Sequence, residues 1–263
     1  MTIEFSIPLA TKRGIKELEP LFRKTDDKSE LIIVDSNYTE EKRDFLSKQK
    51  GYAQVVYVPA ATDYRTKHPR DYERATNLAL SYCESDWIIR ADDSIEFRNN
   101  FFDTIREDRD YFVDLLGHKN FAVIGQKLWG SLSHMKWNDY SGFSGRYTEV
   151  NNAQFSFSFG LIPNKIVWAL NGWDELYDNA WGYPDDIDFL LRGLVAGYKF
   201  YFDKELMAYS EPHMNEAGLY SINHIIWNFQ QEQILHGKIR AFNEREIYTE
   251  QAKCLVIKDE YIV

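Results

Sequence analysis

The residues best equipped for chemistry lie in Asn171-Gly172-Trp173-Asp174-Glu175 and, shortly after, Trp181-Gly182-Tyr183-Pro184-Asp185-Asp186-Ile187-Asp188. Carboxylates here stand at the mouth of a helix, behind a loop of Gly, Trp, Tyr and Pro that can shape a pocket. Asp186 is read as functional. Asp188, four residues before Arg192, is read as half of a surface ion pair. Acidic residues at a helix start also complement its dipole, which is the purely structural alternative. A second acidic pair, Asp92-Asp93, follows the short apolar run Trp87-Ile88-Ile89. Hard oxygen donors of this kind suit magnesium or manganese, which bind phosphate oxygens in turn. The competing reading is a solvated turn, since Asp and Ser favour turns unaided. Asp35 ends the run Leu31-Ile32-Ile33-Val34; it could accept hydrogen bonds from a base or ribose, or cap the next helix. His213 could ligate manganese or be a polar loop residue. Arg74 and Asn77 could reach a diphosphate or face solvent.

The elements that must position these groups alternate in type. Strands are expected over 3–9, 31–34, 54–58 and 87–89, with helices over 13–24, 39–49 and 70–83 between them. This alternation implies an α/β fold with a doubly wound, mostly parallel, Rossmann-like sheet. In such sheets ligands bind off the carboxyl ends of the strands, which gathers Asp35, Asp92 and Asp93 on one edge. Further on, a helix is expected over 98–116, a strand over 121–124 and a half-buried strand over 154–159. A short helix is expected over 163–170 and another from Pro184, whose place in a first turn forfeits no hydrogen bond. Ile187, Leu190, Leu191 and Leu194 recur with helical period and define the expected apolar face of that helix. Strands at 199–203 and 206–209, a helix over 220–235 and a strand at 253–257 complete the pattern.

With 263 residues, 44% of them hydrophobic and 27% charged, the chain has the composition of a globular protein with a substantial core. A net charge of -10 argues against general nucleic-acid binding, which needs a basic face. It admits an anionic small ligand if a divalent metal neutralises it. Cys83 and Cys254 match no metal spacing, and a reducing, cytoplasmic setting is expected. No segment reaches membrane-spanning length, and the amino terminus lacks a signal peptide's apolar run; peripheral membrane association stays compatible with the sequence.

In order along the chain, these segments resemble the nucleotide-sugar-dependent glycosyltransferases of the GT-A fold, especially inverting family 2 enzymes. The resemblance runs from about Ile3 to His213. Ser6-Ile7-Pro8-Leu9 is similar to the family's opening strand, Val34-Asp35-Ser36-Asn37 to its nucleoside-contacting strand end, and Arg74-Ala75-Thr76-Asn77 to the helix start over the nucleotide. Ala91-Asp92-Asp93 resembles the metal-binding Asp-x-Asp segment. The two motifs at 171–174 and 181–186 resemble Asn-Gly-Phe-Asp and Trp-Gly-Gly-Glu-Asp. Arg90 stands where many relatives carry the first Asp of the metal motif, Asp185 replaces the usual Glu, and Pro184 a usual Gly.

The resemblance implies a single GT-A domain with a nucleotide-sugar-binding half (1–97), an acceptor and catalytic half (98–218) and a C-terminal helix and tail (219–263). It implies donor contacts from Pro8, Asp35, Arg74, Asn77 and Asp92, and a Mn2+ or Mg2+ cofactor held by Asp92, Asp93 and His213. Asp186 falls on the catalytic base, Asp185 would orient the acceptor, and Trp173 or Trp181 could stack on an acceptor sugar. The expected reaction is inverting transfer from a nucleotide diphosphate sugar, with uridine diphosphate favoured, to a glycan or other hydroxyl acceptor. The alternatives are a retaining transferase of the same fold and a catalytically silent relative that binds a glycan or a protein.

Overall fold

The structure is a computed structural model describing residues 2–11, 13–59, 72–129, 136–137, 145–151, 157–173, 184–210 and 261–262. The amino-terminal part alternates as expected: β1 (Phe5–Thr11), α1 (Ile15–Leu18), β2 (Ser29–Asp35), α2 (Glu40–Leu46), β3 (Gln54–Pro59), α3 (Tyr72–Leu80) and β4 (Trp87–Arg90). The expected 13–24 helix is cut short. Pro20 lacks the N–H that an α-helix interior needs, and Glu19–Phe22 tightens into a 3-10 turn. Thr39 starts α2 by accepting from Lys42 N–H at 3.1 Å.

The remaining described elements are β5 (Ile95–Phe97), α4 (Phe101–Leu116), β6 (Phe121–Trp129), β7 (Lys136–Trp137), β8 (Tyr147–Val150), β9 (Gly160–Pro163), α5 (Asn164–Ala169), α6 (Pro184–Val195), β10 (Lys199–Ser210) and β11 (Tyr261–Ile262). The strands form one sheet in the order β11-β3-β2-β1-β4-β9-β6-β10-β5, with β7 beside β6 and β8 beside β10. β3, β2, β1 and β4 run parallel, as do β6 and β10, while β9 is antiparallel to both β4 and β6. Two reversals restore direction, so β6 points the same way as β1 and β4. The two strands expected at 199–203 and 206–209 are one strand, β10, with a register shift between Phe202 and Met207. Residues 157–159 precede β9 instead of forming the expected strand, and the expected elements at 220–235 and 253–257 lie outside the described residues.

Strands buried on both faces explain the apolar runs. Phe5, Ile7, Leu9, Leu31 and Ile33 join one core cluster, whereas Ala10, Ile32, Val34, Val56 and Val58 meet Ala75, Leu78 and Ala79 of α3 on the other face. A third cluster seats Phe189 and Leu190 of α6 against Ile88, Phe157, Phe200 and Phe202. Among the described residues no helix is long and apolar enough to cross a membrane.

A buried polar cluster ties α4 to β8 and β10. Asp108 Oδ1 accepts from Arg146 Nη2 at 2.9 Å and from the Tyr147 hydroxyl at 3.0 Å, and Arg146 also donates to Asp203. Burial, then the neighbouring Asp203 charge, pushes the Asp108 carboxyl up to about 8. Between the ordinary value of 3.8 and about 8 the folded chain therefore holds a proton that the unfolded chain releases. The stabilisation is fully present below that window and is lost as pH rises through it. Urea midpoints measured across the window should fall with pH in the wild type, and that fall should flatten in Asp108→Asn.

Candidate active site

The strand order 3-2-1-4 reverses between β1 and β4, which makes their carboxyl ends the crevice where doubly wound sheets take ligands. Pairing across that line is a single bridge, Ser6↔Ile88, and Pro8, two residues on, has no N–H with which to continue it. Pro8 itself is buried inside β1 and shapes the crevice from within the sheet.

Asp93 bolts the crevice shut on one side. Its Oδ2 accepts from the Thr11 hydroxyl at 2.8 Å and its Oδ1 from Arg13 Nε at 2.7 Å. Burial pushes its carboxyl up, against the pull of Arg13 and Thr11. Asp92 is more open, with 26% of its side chain exposed, and accepts from Lys127 Nζ at 2.6 Å; the lysine side chain is only 11% exposed. Asp35, at the end of β2, is fully buried. It accepts from Lys42 Nζ at 2.9 Å, the Tyr57 hydroxyl at 2.5 Å and Asn37 N–H at 2.8 Å. Held by these three donors, Asp35 braces the β2–β3 edge.

The second half of the site is built around the turn 170–173. Asn171 and Gly172 both adopt left-handed backbone, at φ 58° and 63°, and a Cβ on Gly172 would collide with Asn77 Oδ1. Asn77 of α3 clamps the turn from one side, donating Nδ2–H to Trp173 O at 2.8 Å and accepting Trp173 N–H at 3.0 Å. Arg192 of α6 clamps it from the other. Its guanidinium donates to Leu170 O, to Gly172 O at 2.9 Å and, through Nε, to Asp188 Oδ2 at 2.7 Å. The Asp188–Arg192 pair is structural as expected, yet it is buried, not on the surface. Asn77 is buried in the same clamp.

The clamp delivers Trp173 to Arg90. The guanidinium carbon lies 4.7 Å from the indole centroid, and Phe189 stacks on the same ring at 4.6 Å. With 1% of its surface exposed, Trp173 has no face for an acceptor sugar, and that expectation is corrected. Its indole Nε1 has no hydrogen-bond partner among the described residues. Arg90, equally buried, reaches Asp186 Oδ1 with Nη2 at 3.5 Å, and the Asp186 side chain is 14% exposed. The helix face differs from the expected one. Phe189, Leu190 and Gly193 are buried while Ile187, Leu191 and Leu194 are half-buried, so Asp186 leads the inward stripe at i, i+3, i+4 and i+7.

The structure thus brings Asp92, Asp93 and Arg90 onto one short stretch after β4, with Asp186 reached through Arg90. Arg74 is half-buried in the first turn of α3. Trp181, His213 and the Asp185 side chain lie outside the described residues. Thr11, Arg13 and Lys127 escaped the sequence reading, since nothing local marks a lone lysine near the end of β6 as the partner of an aspartate 35 residues earlier.

A divalent cation does not fit the donors on view. Both oxygens of Asp93 are taken, and Asp92 holds an ammonium where the ion would sit. Among the described residues no three His, Cys, Asp or Glu side chains gather as a metal site.

No family model matches the chain, and no curated protein matches it. Solved structures do. The TarS 1–349 fragment from S. aureus in complex with UDP-GlcNAc superposes with a TM-score of 0.62 at 14% identity, over 95% of this chain and 70% of that one. GalNAc-T7 with UDP, GalNAc and Mn2+ superposes with a TM-score of 0.58 at 8% identity, over 81% of this chain and 45% of that one. The fold is a GT-A fold. Against TarS 1–349 without its nucleotide sugar, the GT-A match covers 60% of the fragment's length.

Arg192→Leu would strand the buried Asp188 carboxylate and two carbonyls of the turn. Breaking a buried pair from one side costs about 3–5 kcal/mol, and urea unfolding monitored by far-UV circular dichroism should show a loss of that order.

Proposed function

We propose that this chain transfers a sugar from a nucleoside diphosphate sugar to a hydroxyl acceptor with inversion at the anomeric carbon, Asp186 acting as general base. The observation that carries this reading is the placement of Asp186 on the inward face of α6. There it is partly exposed and held by a buried arginine that belongs to β4, the strand leading into Asp92 and Asp93. A GT-A fold supplies the setting. TarS has been solved with UDP-GlcNAc and UDP, and GalNAc-T7 with UDP, GalNAc and Mn2+. Those ligands bring a uridine diphosphate sugar to this chain as the donor class to test first.

The chemistry asked of the residues is simple. The acceptor O–H gives its proton to an Asp186 oxygen as the acceptor oxygen attacks C1 of the donor sugar. The bond from C1 to the diphosphate oxygen breaks, and its electron pair leaves with the diphosphate. One displacement with one base inverts the anomeric centre. Arg90 fixes the direction of the carboxylate, and Trp173, packed on Arg90 and Phe189, fixes Arg90. Arg74, at the start of α3, is the proposed diphosphate contact from that helix. Asp185 is the proposed acceptor-orienting group and Trp181 the proposed stacking platform.

A second reading, a silent glycan- or protein-binding relative, draws on the same pairings, because Asp186 and Asp92 each already face a cation. Turnover separates the two. Positioned general bases contribute roughly 100- to 10,000-fold, so Asp186→Asn should lose that much transfer while its affinity for UDP stays at the wild-type value. Product configuration, read by proton NMR, should be inverted. A loss of UDP affinity as severe as the loss of rate would put Asp186 in the donor site and end the base assignment. No turnover of any donor by the wild type would favour the silent reading.

A further inference from the structure

The carboxyl edge of the sheet carries a feature that the nucleotide-sugar reading does not explain. The two carboxylates expected to gather a divalent cation are each already matched with a fixed cation of the chain. Lys127 reaches Asp92 from β6, which runs parallel to β4 two strands away, and Arg13 reaches Asp93 from the end of β1. Neither pair is a loose surface contact. The Lys127 side chain is nine parts in ten covered, and Asp93 is closed by a hydroxyl as well as by the guanidinium. An ammonium 2.6 Å from Asp92 Oδ2 competes with a dication for that oxygen and repels it by like charge.

We infer that the donor's diphosphate is bound without a divalent cation, with Lys127 as its charge partner at the β1/β4 crevice and Asp92 as the group that holds the ammonium in place. The inference rests on the nucleotide-sugar reading and deepens it. Lysine is suited to the role because its ammonium is a compact charge with three donors on a flexible stem, so it can keep Asp92 and still donate to phosphate oxygens. The geometry also gives Asp92 a different task from the one expected of it. It is a positioning residue that acts through Lys127, and it has no need of a third ligand.

The test is calorimetric titration of the full chain with UDP, in buffer with manganese and in buffer with chelator, with GDP as the alternative nucleotide. Wild-type affinity should be the same in both buffers. Lys127→Met removes a charge-assisted hydrogen bond and should weaken UDP binding in chelator by about 10- to 100-fold. It also frees Asp92 of its ammonium, so manganese should now restore part of the lost affinity. Lys127→Arg, which keeps the charge, should keep cation-free binding. Wild-type binding that disappears in chelator and returns with manganese overturns the inference while leaving the nucleotide reading intact. Binding of neither nucleotide in either buffer overturns both. The wild-type comparison needs no variant, so a Lys127→Met chain that failed to fold would still leave the inference decided.

Discussion

The turn before α6, and everything that packs on it, hangs from one buried guanidinium. Arg192 holds three acceptors at once, one charged and two from the turn before α6, and each of those bonds fixes a different part of the chain. Asp188 sets the rotation of the arginine within its own helix. The two carbonyls pin a turn whose backbone is left-handed at consecutive residues, a conformation that other backbone contacts must over-determine if it is to persist. From there contacts pass outward in sequence: turn to Trp173, indole to the Arg90 guanidinium, guanidinium to Asp186. Such a chain of contacts fixes where the Asp186 carboxylate stands.

Two halves of the crevice are built on opposite electrostatic plans. On the β4–α6 side a buried arginine faces a partly open aspartate. On the β1–β6 side a covered lysine and a half-covered arginine neutralise adjacent aspartates. Each negative group thereby has an internal counter-charge, and the site keeps its shape at low dielectric without an uncompensated ion. In a chain of net charge -10, this local balance removes the repulsion that a polyphosphate would otherwise meet at the mouth of the sheet.

The fold was legible in the sequence wherever local pattern and burial agreed. The apolar runs of β1 to β4 and the helix begun at Thr39 could be read directly, because strands buried on both faces leave local signatures. β5 and β9 could not. Each is only a few residues long and exists because β10 or β4 is there to pair with it. The motif residues were found, but the contacts that bury some of them were not legible in the sequence. Asn77, Trp173 and Asp35 are polar or aromatic residues next to a site, and all three turned out to hold it together from inside. On α6 the apolar count chose Ile187, Leu190, Leu191 and Leu194, of which only Leu190 is fully buried, since a buried Asp–Arg pair and an inward-facing Asp186 look, in sequence, like a polar face. Lys127 gave no signal because its meaning depends on β6 lying beyond an antiparallel strand, β9, from β4 and so ending beside Asp92.

The Asn77 clamp also has a bearing on how the protein is made. The side chain of Asn77 bonds backbone atoms 96 residues further along the chain. At synthesis rates of about 5–20 residues per second, α3 leaves the ribosome roughly 5 to 20 seconds before Trp173 exists to satisfy it. The first four strands can pair in that interval, but the face of α3 that will meet the turn must stay wet. The nascent chain therefore passes through a stage in which the parallel half is folded and the crevice has only one wall.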